Sequence, residues 1–152
     1  MTFLCNGNEK IYKAFVFNIN MLSEDEIKEI LVKQRETILK KNYGIEREIL
    51  KEVEAKARLP HVVVLTGLRR SGKSTLLRQL IKKHYNDADF YYINFEDEQL
   101  FNFPASEFNK LYEALVSLYG EKKTFFLDEI QNITNFETFV RRLYEEGFKF
   151  FI

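Results

Sequence analysis

The sequence predicts an α/β fold with a mostly parallel sheet, and two observations carry that expectation. From residue 62 onward, short apolar or aromatic stretches alternate with amphipathic stretches of helical period, as in strands joined by crossover helices. The first such stretch, VVVLT at 62–66, is continuously apolar, the pattern of a strand covered on both faces. It then runs through two glycines and a lysine into an amphipathic segment, VVVLTGLRRSGKSTLLRQL at 62–80. A bare turn therefore sits where a strand becomes a helix.

The elements follow in order. Residues 12–19, YKAFVFNI, have the content of a short strand, and Met21 could serve as an alternative start. In SEDEIKEILVKQRETILKK, Ser23 and Glu26 form a capping box that opens a helix. Ile27, Ile30, Leu31 and Ile38 share one face of it, and Gly44 is its expected stop. A second amphipathic helix, IEREILKEVEAKA, places Ile45, Ile49, Val53 and Ala57 on its stripe, and Pro60 precedes the strand at 62–66. Residues 74–85 read as a helix with Leu76, Leu77, Leu80, Ile81 and His84 inward, followed by a second strand at 90–95. PASEFNKLYEALVSLYG is a helix with Phe108, Leu111, Tyr112, Leu115 and Leu118 on one stripe, and KTFFLD is the third strand. NFETFVRRLYEEG is a helix capped by Asn135 and ended by Gly147, and FKFFI is the fourth strand. This divides the chain into an extension, 1–58, and a core, 59–152.

Composition narrows the function. A chain of 152 residues, 45% apolar and 30% charged, suits one globular domain with a helical extension. Its 23 basic and 23 acidic side chains cancel, so bulk charge gives nucleic acid no support as a partner and leaves only a local basic patch. Cys5 is the single cysteine, which rules out an intrachain disulfide, and two histidines are too few for a histidine zinc site. No apolar run is long enough to span a membrane, and the first residues lack the order of a signal peptide. The cytoplasm is the expected compartment.

Residues 67–74, GLRRSGKS, match G-x-x-x-x-G-K-[ST] in full, with a strand before and a helix after. Gly67 and Gly72 free the backbone so that successive N–H groups can point into one concavity. Lys73 offers a cation to β- and γ-phosphates, Ser74 a hydroxyl to Mg²⁺, and the helix its positive end. Arg69 and Arg70 occupy variable positions, where contact with phosphates or with a neighbouring subunit competes with plain solvation, and Ser71 counts with the binding loop. Asp128 and Glu129 close the third strand at its carboxyl end, where ligands of such sheets bind. Asp128 suits a Mg²⁺ ligand acting through water, and Glu129 an acceptor for the proton of attacking water. A GTPase reading fails on DEIQ, which lacks the Asp-x-x-Gly glycine, and on NKLY at 109–112, which lacks the guanine-binding aspartate. A small-molecule kinase seldom carries the adjacent glutamate. An ATPase remains.

Gly67–Leu76 and Phe125–Gln131 together resemble AAA-type P-loop ATPases of the additional-catalytic-glutamate division. They look most like a prokaryotic AAA family common in archaea, with G-x-R-R-x-G-K-[ST]-T-L and hydrophobic-L-D-E-I-Q motifs. The similarity covers about residues 45–152. It implies a three-layer P-loop sheet in the order fifth, first, fourth, third, second strand, with ATP and Mg²⁺ as cofactors. Lys73, Ser74 and Thr75 would serve the phosphates and Mg²⁺, Asp128 the metal and Glu129 the water. Asn94 stands where such ATPases pair a polar residue with the catalytic glutamate, against a bland role capping the strand end. The family pattern continues into a sensor residue, a fifth strand, an arginine finger, a lid and a C-terminal domain. Arg141 and Arg142 precede the sensor strand and are poor finger candidates. The expectation is thus a truncation or fragment that hydrolyses ATP weakly, partnered by further copies or by a missing C-terminal portion. Without a fifth strand, 62–66 would be an edge that residues 12–19 could cover or swap onto. The alternative is a nucleotide-dependent interaction module that binds ATP with little hydrolysis. The macromolecular target is open.

Overall fold

Aromatic and β-branched runs bounded by polar turns produce the strands. The computed structural model describes residues 21–86, 89–100 and 103–152, so the expected strand at 12–19 lies outside the described residues. Helices α1 (Glu24–Lys40), α2 (Leu50–Ala57) and α3 (Lys73–His84) precede strand β1 (Tyr91–Asn94). Then come α4 (Phe108–Tyr119), β2 (Thr124–Asp128), α5 (Phe136–Glu145) and β3 (Lys149–Phe151). The sheet is parallel in the order β1-β2-β3, with Tyr91 opposite Phe125 and Phe125 opposite Phe150.

The stretch 62–66 is not a full strand. It makes one parallel bridge, Val63 to Phe151, on the outer side of β3. Three backbone bonds hold it: Val63 N–H to Phe150 O (2.9 Å), Ile152 N–H to Val63 O (2.9 Å) and Leu65 N–H to Ile152 O (2.6 Å). The spatial order is therefore this segment, β3, β2, β1, which is the expected first, fourth, third, second. The expectation of burial on both faces needs correcting, because Val64 is 59% exposed. A three-residue β3 offers too short a template for a longer ladder.

Side-chain alternation along the strands splits the core in two. Tyr91, Ile93, Phe125, Leu127 and Phe150 join the cluster that includes α1, α4 and α5 residues. Tyr92, Phe126 and Phe151 join the other, with Leu76, Leu77 and Leu80 of α3. Phe125 stacks on Phe150 with ring centroids 5.1 Å apart, and Phe126 on Phe151 at 4.6 Å.

The capping box at Ser23 and Glu26 forms as expected. Helix α1 ends at Lys40, where Lys41 turns extended, four residues before Gly44. Its buried Gln34 donates from Nε2 to Asn94 O (3.0 Å) and to Asp97 Oδ2 (3.0 Å), and its Oε1 accepts Asn94 N–H (2.9 Å). These bonds occupy edge groups of β1 that no strand pairs among the described residues. The expected stripe of the second helix holds at Val53, which is buried, but Ile45 and Ile49 are 93% and 50% exposed and Leu50 is buried in their place. His84 faces outward, with its Nε2 3.0 Å from Glu54. Asn135 does hold the N-cap position of α5, but in a left-handed conformation (φ 64) and without a side-chain cap bond.

Candidate functional site

The loop 67–72 hangs between the 62–66 segment and α3. Gly72 is the N-cap of α3 at φ +89, a conformation that favours glycine. Arg70 is also left-handed, at φ 62. A Cβ on Gly67 would come within 2.9 Å of Ser71 Oγ, so the two ends of the loop approach closely. Lys73 folds back, donating from Nζ to Gly67 O (3.2 Å) and more weakly to Leu68 O (3.5 Å). Its ammonium lies 4.0 Å from the Glu129 carboxylate. Loop lysine and strand-end glutamate, remote in sequence, therefore face each other.

Asp128 is buried. Burial raises its carboxyl above the usual carboxylate range, opposed by a hydrogen bond from Ser74 and seconded by the nearby charge of Glu129. Tyr92 donates to Asp128 Oδ2 at 3.4 Å. Burial, together with the Asp128 charge, holds the Tyr92 hydroxyl far above its ordinary value, so it stays a donor. Glu129 has the left-handed φ of 55, and its Oε2 accepts from Gln131 Nε2. A short 3-10 turn, Ile130–Asn132, follows.

Three open spaces meet here. Two of about 350 and 370 Å³ lie along the 64–67 segment, the first lined by Lys73, Asp128 and Glu129. A third, of about 260 Å³, is bounded by Ser74, Arg78, Tyr92, Asn94 and Asp128. Thr75 Oγ1 accepts from Arg78 Nη2 at 2.8 Å. Hence Lys73, Ser74, Thr75, Asp128 and Glu129 gather around the loop. Arg69 instead reaches the exposed Glu96 at 3.4 Å, and Arg70 is exposed.

Asn94 does not reach the glutamate. Its Oδ1 accepts Glu96 N–H (2.9 Å), and its backbone is held by Gln34. The bond from Glu96 N–H holds the Asn94 side chain in this local turn. Sequence reading missed Arg47, whose guanidinium lies on the loop. It also missed Gln34 and Gln79, two buried polar side chains on helix faces otherwise apolar. A glutamine inside an apolar stripe was the only signal for either.

A donor set of one hydroxyl and one carboxylate fits a hard cation that takes its remaining ligands from phosphate and water. Among the described residues no three His, Cys, Asp or Glu side chains form a cluster able to hold a metal by themselves.

Residues 59–152 match the family model described as AAA domain. The chain belongs to the AAA domain family. An uncharacterized protein of Methanocaldococcus jannaschii, MJ1544, is 45% identical over 104 residues, 68% of this chain. The matched stretch is 23% of that relative's length. No solved structure matches. Membership in the AAA domain family points to nucleotide binding. Among the described residues no helix is long and apolar enough to cross a membrane.

Proposed function

We propose that this chain binds ATP with Mg²⁺ at Gly67–Thr75 and hydrolyses it with water activated by Glu129. One observation supports this above the others: the Lys73 ammonium stands 4.0 Å from Glu129, beside the Ser74–Asp128 hydrogen bond. A cation, a base and an oxygen pair for a metal thus share one strand end. Lys73 would leave the Gly67 and Leu68 carbonyls for the β- and γ-phosphates, a stronger set of acceptors. Ser74 and Asp128 would hold Mg²⁺, which when bound neutralises charge developing on the phosphoryl oxygens. Glu129, aimed by Gln131, would accept the proton of the attacking water. Arg69, Arg70 and Ser71 belong to the proposed loop site by position, and Asn94 only as its wall. The target of the reaction belongs to this proposal only as an undefined macromolecule, because the chain spans less than a quarter of its relative's length.

Lys73→Ala tests the reading directly. Calorimetry should show MgATP bound by the parent and strongly weakened in the variant, because the β/γ counter-charge is gone. Equal affinity in both proteins would end the assignment.

A further inference from the structure

One basic side chain outside the motif touches the loop. Arg47 lies in the segment before α2, and its Nη1 donates to the Ser71 carbonyl at 2.6 Å. A Cβ built on Gly72 would stand 2.6 Å from Arg47 Nη2 and 2.7 Å from Cζ. The guanidinium therefore packs against backbone that only a glycine leaves bare. Helix α3 anchors the arginine's own backbone. Buried Gln79 accepts Arg47 N–H (3.2 Å) and donates to Tyr43 O (2.8 Å) and Ile45 O (2.7 Å). The helix that the loop opens thus also holds the residue that braces the loop.

A trans peptide points its C=O and its N–H in opposite directions. Fixing Ser71 C=O toward Arg47 turns the Gly72 N–H away from it. In a glycine-rich phosphate loop, backbone N–H groups of this kind cradle the α- and β-phosphates. We propose that Arg47 is a positioning residue, holding the Ser71–Gly72 peptide so that the Gly72 N–H is presented to the β-phosphate of a nucleoside di- or triphosphate. This rests on the nucleotide reading of the loop. Arg47 acts through the peptide and makes no contact with phosphate, so its effect is the same for the di- and triphosphate.

The test is calorimetry with MgATP and MgADP on the parent, Arg47→Ala, Arg47→Lys and Lys73→Ala, with melting temperatures taken without nucleotide. Arg47 is exposed, so its variants leave the core untouched. Arg47→Ala should weaken both nucleotides by one common factor, roughly tenfold or more, the size of a lost charged hydrogen bond. Arg47→Lys, which keeps a donor for the Ser71 carbonyl, should recover part of that loss, and the ligand-free melting temperature should stay near the parent's. Unchanged affinities in Arg47→Ala, beside a loss in Lys73→Ala, would remove Arg47's role and leave the nucleotide reading standing. A loss confined to MgATP would make Arg47 a γ-phosphate counter-charge and overturn positioning. If the parent binds neither nucleotide, both readings fall.

Discussion

At Asp128 the fold acts on a protonation equilibrium. Burial raises its carboxyl, so the fold binds that proton more tightly than the unfolded chain, whose carboxyl titrates near 3.8. The group's contribution to stability is full below that value and is lost as pH rises through the raised folded pKa. Asp128→Asn should therefore make the metal-free protein more stable once pH exceeds the raised folded pKa, and flatten the fall in stability that begins above pH 3.8. It should also remove the Mg²⁺ dependence of nucleotide binding. Urea melts over a pH series would show this, and superimposable profiles would refute it. For Glu129→Gln, nucleotide affinity should hold while phosphate release falls by about 10²–10⁴-fold, the usual share of a general base. Release at the parent's rate would exclude Glu129 as the base. Both acids could be read from the sequence because an apolar strand aims its last residues at one end of the sheet. Asn94 could not, because the direction its side chain takes once Oδ1 accepts the Glu96 N–H depends on distances that spacing does not encode.

At the scale of elements, α1 is more than a packing helix. Gln34 supplies both a donor and an acceptor to Asn94, and Arg35 Nη1 donates to Phe90 O at 2.9 Å. Helical side chains thereby do for the edge of β1 what a neighbouring strand would do. Gln34→Ala should cost ~1–3 kcal/mol, since it strands an N–H and a C=O in a half-buried site. Denaturant midpoints at unchanged slope would measure it, and a loss below a few tenths would show that water replaces the amide. The capping box was legible because its two residues signal each other locally. The stripe of α2 was not. Ile45 and Ile49 fit the helical period, but the helix starts later, and Gln79 holds residues 43–47 in another path.

Across the whole molecule, two aromatic layers stand back to back on one sheet. Phe125 and Phe150 serve one core, Phe126 and Phe151 the other. Phe126 is fully buried, so Phe126→Ala should cost ~3–5 kcal/mol. Against the ~5–15 kcal/mol typical of a domain, that loss should appear as a large drop in melting temperature. Only a small drop would mean that the layer collapses to fill the gap. The alternation of strands and helices made the parallel sheet legible from 90 onward. The segment 62–66 misled, because three consecutive valines look the same whether one face or both faces are covered.

Among the described residues the 62–66 segment is bonded on one side only. Val63 and Leu65 donate to the β3 edge, while among the described residues no backbone acceptor engages Val64 or Thr66. Their N–H groups point the other way, as strand alternation requires. In deuterated water, Val63 and Leu65 should keep their protons far longer than Val64 and Thr66, a comb of slow and fast amides leading into the glycine-rich loop. Anything that docks on the outer edge would slow the fast teeth of that comb and leave the slow ones almost as they were.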